Sequence, residues 1–183
     1  MIRILDVVLA CIGLVLLSPV FLVLVLIGLV DTGSPLFFQE RVGRHQKRFV
    51  LVKFRTMKCE TSSVATHLVS PSAVTPFGRF LRRTKLDEMP QLWNVLVGDM
   101  SLVGPRPCLP NQVELIHERA KRGVFEVRPG ITGVAQICGI DMSRPSELAE
   151  MDAHSIADTR IRDYLKVICS TLAGRGRGDR ISE

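Results

Sequence analysis

The sequence predicts an α/β protein that is mainly helical, with an apolar membrane segment followed by a small globular domain. Three observations support this fold class. The first is an uncharged apolar run from Val7 to Val30. The second is a pair of short stretches rich in branched and aromatic residues, Leu36 to Gln39 and Phe49 to Arg55, which is typical of a β-hairpin turning near Gly43. The third is a series of apolar residues at helical spacing after Thr75.

The apolar run is predicted to lie in a membrane. Its 24 residues carry no charge, and at about 1.5 Å per residue they are long enough to cross roughly 30 Å of hydrocarbon. A buried core helix is a poor alternative, because the rest of the chain is too short to surround a helix that is apolar on every side. A cleaved signal peptide is also disfavoured, since the run is too long and no small-residue cleavage site precedes Asp31.

Ser18 and Pro19 lie in the middle of this run. Pro19 removes one backbone donor and presses on the carbonyl of Val15, so we expect a kink, and the Ser18 hydroxyl is placed to bond a carbonyl that the kink frees. The residues alone allow two paths: a kinked helix that still spans the bilayer, or two half-helices that form a shallow re-entrant hairpin. The basic residues between Arg41 and Lys58 place the main domain in the cytoplasm for either path.

Composition narrows the class of function. The 183 residues include 24 Lys and Arg against 18 Asp and Glu, a net charge of +6, which excludes a soluble acidic enzyme. Five widely separated cysteines indicate reduced thiols in a cytosolic environment rather than a disulfide framework. The sequence contains no HExxH, paired CxxC, GxxxxGK[ST] or GxSxG motif.

Two helical stretches follow the hairpin. Thr75 and Pro76 are a good helix start, with Thr as the cap, and the helix that follows has an apolar face and a basic face. A solvated charged face is the ordinary explanation, but the neighbouring membrane segment favours a position at the lipid headgroups. The next stretch, Leu86 to Val97, carries Trp93, whose ring suits an interface as well as a core. Later helices are predicted over Asn111 to Gly123 and, as one or two helices, over Ser146 to Ala173.

An acidic pair, Asp87 and Glu88, stands in basic surroundings. Adjacent helical residues point about 100° apart, so the two carboxyls are not expected to form a symmetric dyad. One explanation is that acidic residues in a first helical turn complement the helix dipole. The other is that a carboxylate among cations stays ionised, binds Mg²⁺ and attacks phosphorus as a covalent nucleophile.

Four cations precede or follow rigid backbone: Lys53 and Arg55 near a strand end, Arg106 between two prolines, and Arg128 before a Pro-Gly pair. A guanidinium on a rigid turn suits bidentate phosphate recognition, because its donors match two oxygens and little conformational freedom is lost. Each of them alone is most simply a surface charge. Together they indicate a substrate that carries phosphate.

Three segments of the chain resemble the bacterial sugar transferases, more specifically the small monotopic phosphoglycosyl transferases. They are KFRTM from Lys53, LDEMPQLWNVLVGDMSLVGPRP from Leu86 and RPGITGVAQICG from Arg128. The resemblance runs from Arg3 to about Leu172 and includes Ser18-Pro19. It departs from the family at Ala153 to Ile156, a region that often carries an aromatic residue.

The resemblance implies an enzyme that moves a phosphosugar from a UDP-sugar to polyprenyl (undecaprenyl) phosphate, releases UMP and begins glycoconjugate synthesis. It implies that Asp87 is the nucleophile, with Glu88 as its partner in the acidic dyad and Mg²⁺ held near Asp87. Lys53, Arg55, Arg106 and Arg128 match basic motif positions and are assigned phosphate contacts. Membrane lipids are expected partners, and nucleic acid is not.

The resemblance also selects the re-entrant path, in which the helix breaks at Ser18-Pro19 and both ends stay inside. Three parts follow: a membrane hairpin over 1–30, a catalytic domain with interfacial helices over 31–173, and a flexible basic tail over 174–183. The protein would then be monotopic in the bacterial inner membrane, with its catalytic domain facing the cytoplasm. Two other functions stay open: a non-catalytic anchored basic module that binds anionic lipid or nucleic acid, and a Mg²⁺-dependent phosphohydrolase.

Overall fold

The computed structural model describes residues 2–60, 71–157 and 160–175. Within these ranges the chain forms seven α-helices and four strands, so the mainly helical class with a short β-hairpin is confirmed. Most of the predicted basic tail, from position 176 onward, lies outside the described residues. The elements are α1 (Ile2–Thr32), β1 (Leu36–Val42), β2 (Arg48–Phe54), α2 (Pro76–Thr84), α3 (Gln91–Val97), β3 (Ser101–Val103), α4 (Val113–Lys121), β4 (Gly130–Thr132), α5 (Val134–Ile137), α6 (Pro145–Ala157) and α7 (Ile161–Leu172).

The apolar run forms α1, and this helix continues through Pro19. The expected division into two separate helices at Ser18-Pro19 is not seen. A physical reason lies in the local hydrogen bonding: the Ser18 hydroxyl donates to the carbonyl of Val15 at 2.8 Å, the carbonyl that Pro19 leaves without its usual amide partner. The prediction that Ser18 bonds a freed carbonyl is confirmed, and the re-entrant path stays a prediction.

Both ends of α1 contact the same globular domain. Near its start, Arg3 donates to the carbonyl of Val95 at 2.7 Å, and buried Asp6 accepts from the amide of Leu102 at 2.9 Å. Near its end, the hydroxyl of Thr75 donates to Asp31 at 2.7 Å. The helix has 31 residues, or roughly 46 Å at the usual rise, so the domain supports it at two widely separated points.

Much of α1 nevertheless remains exposed and apolar. Val15 and Leu16 are 72% and 70% exposed. Among the described residues, α1 is the one helix long and apolar enough to cross a membrane by length and composition. A large apolar surface of this kind marks a lipid or protein contact.

The predicted hairpin forms as β1 and β2, which pair antiparallel with Leu36 opposite Phe54 and Val42 opposite Arg48. The link between them includes His45 and Gln46 at positive φ. A second pair was not predicted: β3 and β4 pair in parallel, with Ser101 opposite Gly130. These strands have three residues each and are too short to show the alternation that identifies a strand in a sequence.

Close backbone contact joins two segments rich in proline and glycine, Gly104-Pro105 and Pro129-Gly130. A Cβ on Gly130 would lie 2.1 Å from the amide nitrogen of Gly104, so only glycine allows the segments to approach this closely. This approach brings the residues after β3 next to β4. Pro105 and Pro107 are buried beside this contact, and Arg106 between them is half-buried.

The helices pack in three apolar clusters. One joins α1 to the hairpin and α2 through Leu24, Phe54 and Leu81, a second joins α1 to α3 through Ala10 and Val95, and the third lies between α4 and α6. The cysteines Cys11, Cys59, Cys108, Cys138 and Cys169 are all free thiols, as predicted.

Candidate functional site

The acidic pair lies on a tight turn between two helices. Thr75 caps α2 through its side chain, which accepts from the amide of Gly78 at 2.9 Å. α2 ends at Thr84, and the next residue, Lys85, has a left-handed φ of 59°. A single 3-10 turn, Leu86–Glu88, follows, and α3 begins only at Gln91. The helix predicted from Leu86 to Val97 is therefore wrong over its first turn, because the reversal at Lys85 leaves room there for one tight turn only.

Glu88 is held by one of the predicted cations. Its carboxylate lies 2.8 Å from a guanidinium nitrogen of Arg106, and the two side chains are 15% and 18% exposed. A partly buried pair of this geometry is screened less than a surface ion pair. It fixes the side chain of Glu88 and that of Arg106 against each other.

Asp87 is surrounded by charges of both signs. Its burial, and then the negative charge of Glu88, raise the pKa of Asp87 to about 6, while the positive charges of Lys53, Arg82 and Arg106 lower it. The carboxyl is thus ionised at neutral pH, although it is more basic than an ordinary aspartate. A desolvated carboxylate of raised basicity is a better nucleophile than a solvated one.

Arg82, on the basic face of α2, was not predicted to be a site residue. The structure has its Nε donating to the hydroxyl of buried Thr56 at 2.9 Å, and its charge acts on Asp87. A signal was available, since Arg82 lies only five residues before Asp87 in the sequence. The sequence did not reveal that the chain changes direction at the left-handed residue Lys85.

Lys53 and Arg106 are the predicted phosphate-binding residues whose charges the structure brings to Asp87. Arg55 has other contacts: its Nε donates to the carbonyl of Ser34 at 2.9 Å and its guanidinium lies 5.3 Å from the ring centroid of Phe37. Lys53 contacts the same aromatic ring, with its Nζ 5.5 Å from the Phe37 centroid.

Arg128 lies in a different place, where its Nε donates to the carbonyl of Gly98 at 2.8 Å. It lines a cavity of about 380 Å³ between the start of α1, β3 and α7, together with Arg3 and Tyr164. Contacts with a phosphate stay predictions for Lys53, Arg55, Arg106 and Arg128 alike.

A Mg²⁺ ion fits this site only if a bound substrate supplies some of its ligands. Within the described ranges, no group of three or more His, Cys, Asp or Glu side chains forms a site for a metal ion. Mg²⁺ is commonly held by one or two carboxylates with waters and substrate phosphates as the other ligands. Asp87 supplies such a carboxylate, and Glu88 is partly engaged by Arg106.

The sequence comparisons identify the family of the chain. A model of the bacterial sugar transferase family matches residues 1–176. The chain belongs to this family. It is 39% identical over 171 residues to EpsL of Bacillus subtilis, described as an uncharacterized sugar transferase, and this match covers 93% of the chain and 84% of EpsL.

Two further relatives carry more specific names. The UDP-glucose:undecaprenyl-phosphate glucose-1-phosphate transferase of Caulobacter vibrioides is 43% identical over 145 residues, 75% of this chain and 54% of that protein. A putative undecaprenyl-phosphate N-acetylgalactosaminyl 1-phosphate transferase of Bacillus subtilis is 39% identical over 145 residues, 74% of this chain and 81% of that protein. Other relatives are longer, and the matches span 29% to 41% of their length.

Proposed function

We propose that the protein transfers a phosphosugar from a UDP-sugar to polyprenyl phosphate, with Asp87 as a covalent nucleophile. The observation that carries the proposal is the setting of Asp87, a half-buried carboxyl next to the 2.8 Å ion pair of Glu88 with Arg106 and within the influence of the cations Lys53 and Arg82. Membership of the bacterial sugar transferase family, and the undecaprenyl-phosphate transferases among its relatives, support the substrate class.

In the first step, a carboxylate oxygen of Asp87 attacks the phosphorus that bears the sugar. The bond from this phosphorus to the oxygen that bridges the diphosphate breaks, and that oxygen leaves on UMP with its electron pair. The product on the enzyme is an acyl phosphate that links Asp87 to the phosphosugar. Nearby cations favour this step, because negative charge builds up on the leaving phosphate.

In the second step, a phosphate oxygen of the polyprenyl phosphate attacks the same phosphorus. The bond to Asp87 breaks, the carboxylate is regenerated, and the sugar leaves as a polyprenyl diphosphate derivative. Dividing the transfer in this way lets two anionic substrates react in turn at one carboxylate instead of meeting each other directly.

The surrounding side chains have distinct tasks in this scheme. Lys53 and Arg82 offset the charge of the diphosphate, and Arg106 binds phosphate while it orients Glu88. A bound Mg²⁺ would neutralise charge on the diphosphate, with Asp87 as its protein ligand.

We also propose that α1 enters and leaves the membrane by the cytoplasmic face. The contacts of Arg3 and Asp31 at opposite ends of α1 with one domain support this path, since a helix that leaves the domain to span the bilayer has only one end near it. Phe80 and Trp93, which are 45% and 57% exposed, suit the headgroup region. The catalytic turn would then lie at the height of the acceptor phosphate.

The test is a UMP-release assay in detergent with polyprenyl phosphate and a panel of UDP-sugars. We expect UMP from at least one donor, an adduct on Asp87 when the acceptor is omitted, and no release by Asp87→Asn. Asp163→Asn on α7, whose carboxylate pairs with Lys166 at 3.1 Å, is the matched control and should stay active. Release of free sugar phosphate without acceptor would instead indicate a phosphohydrolase. Normal turnover by Asp87→Asn would contradict the mechanism.

A further inference from the structure

The backbone at Arg106 is fixed by unusual means. Arg106 lies between Pro105 and Pro107, and proline has no amide hydrogen to donate to a regular ladder. The carbonyls of this segment all accept hydrogen bonds from residues that are distant in the sequence. That of Pro105 accepts from the amide of Gly130 at 2.9 Å, and that of Pro107 accepts from the guanidinium of Arg41 at 3.0 Å.

The middle carbonyl, that of Arg106 itself, accepts from Nη1 of Arg119 at 2.8 Å. Arg119 is 1% exposed and belongs to α4. Its Nε and Nη2 donate to the same carboxylate oxygen of Asp152 on α6, at 3.0 and 2.6 Å. Asp152 is 3% exposed. One guanidinium thus joins two helices of the domain to the backbone of an active-site arginine.

This arrangement is poorly explained by stability alone. Removing two charges from water is costly, and well-packed apolar residues of similar volume often stabilise a core at least as well as a buried ion pair. The pair has instead a directional feature. The planar guanidinium donates on one edge to Asp152 and on the other to the carbonyl of Arg106, so the orientation imposed by Asp152 is transmitted to that carbonyl.

We propose that Arg119, oriented by Asp152, is a positioning residue for phosphosugar transfer, because it holds the backbone of Arg106 where its side chain meets Glu88. The inference rests on the proposed function. Arg119 itself does not touch the substrate. The contacts run from α6 through α4 to the segment Pro105 to Pro107, and from there through the Arg106 side chain to Glu88 at 2.8 Å.

The first test is Arg119→Lys, which keeps the charge beside Asp152 but loses the fork that reaches two acceptors. We expect the KM for the UDP-sugar to rise about tenfold, the size expected for one lost hydrogen bond to a charged group. Arg106→Ala should raise the KM in the same direction. Adding Arg119→Lys to Arg106→Ala should change the KM no further, since the residue to be positioned is then gone.

The matched control is Arg122→Lys on the same helix. Arg122 pairs with Glu118 one turn earlier on α4, and its Nη1 donates to the carbonyl of Glu118 at 3.1 Å. This variant should keep the wild-type KM and kcat.

A second variant guards against misfolding of Arg119→Lys. Arg119→Met combined with Asp152→Leu removes both buried charges together, so no unpaired charge stays in the core. It should melt cooperatively and show the same rise in KM.

A purely structural role predicts a different result, because loss of folded enzyme lowers the apparent kcat and leaves the KM unchanged. An unchanged KM in either variant, or additive effects with Arg106→Ala, would overturn the positioning role. Failure of the wild-type protein to release UMP from any UDP-sugar would overturn the proposed function as a whole.

Discussion

The guanidinium of Arg106 lies 2.8 Å from the carboxylate of Glu88, and this pair distinguishes two adjacent acidic residues. Glu88 holds a cation in place beside the site. Asp87, one residue earlier, is the carboxyl whose pKa burial and the Glu88 charge raise to about 6. Asp87 and Glu88 therefore have different surroundings, as the spacing of adjacent residues predicted. Their side chains are suited to different tasks.

The acid limb of the pH profile should report Asp87. We expect kcat/KM for UMP release to fall as the pH drops through about 6, because protonation removes the nucleophile. Glu88→Gln removes a charge that raises the pKa of Asp87, so the limb should move to lower pH while the maximal rate falls. The measurement is an initial-rate series from pH 5 to 8. A limb that moves to higher pH in Glu88→Gln would contradict this assignment.

Asp87→Asn should stabilise the protein at alkaline pH. The pKa of Asp87 is raised in the folded state to about 6, so its ionisation costs stability as the pH rises through that value, and this cost is absent below the unfolded pKa of about 4. We expect a gain on the order of 1 to 3 kcal/mol at pH 8 that disappears toward pH 4.

Thermal unfolding in detergent at the two pH values measures this gain. Asp163→Asn is the control, because a hydrogen bond from Lys166 lowers the pKa of Asp163 and its removal should bring no gain. An Asp87→Asn protein that is less stable than the wild type at pH 8 would contradict the cost of ionising Asp87 in the folded state.

Replacing Pro19 by Leu should favour a straight helix that spans the membrane. Leucine restores the amide that bonds the Val15 carbonyl, now bonded by the Ser18 hydroxyl. We expect an amino-terminal tag to be cytoplasmic in the wild type and to become accessible from the opposite side of the membrane in this variant. Val20→Leu, next to the proline, is the control and should keep the tag inside. A tag that stays equally cytoplasmic in both variants would remove Pro19 as the determinant of topology.

Gly78→Ala should destabilise α2 and lower activity. A Cβ at this position would lie 2.0 Å from the carbonyl oxygen of Thr56, so α2 must shift, and Arg82 shifts with it. Overpacking of this kind commonly costs about 1 to 3 kcal/mol, which a fall in melting temperature would reveal. Arg79→Ala, on the exposed side of α2, should change the melting temperature little. Equal melting temperatures for Gly78→Ala and the wild type would contradict the close packing.

Local signals predicted much of the fold. The Thr75 cap and the start of α2 at Pro76 were correct, because capping depends on residues only a few positions apart. The helix start at Leu86 was wrong, because the left-handed turn at Lys85 and the packing of the following 3-10 turn override a helical pattern. The parallel pairing of β3 with β4 was missed, since its partners are distant in the chain.

The sequence by itself determined the apolar segment, the hairpin, the acidic pair and the family resemblance. Each of these depends on short segments whose residues are close together in the sequence. The tertiary structure alone decided which cations reach Asp87 and what holds them there. Arg82 and Arg106 come from separate elements and are placed by Thr56 and Arg119. The physical reason is that electrostatics and hydrogen bonding act over distances in space, which the order of residues along a chain does not specify.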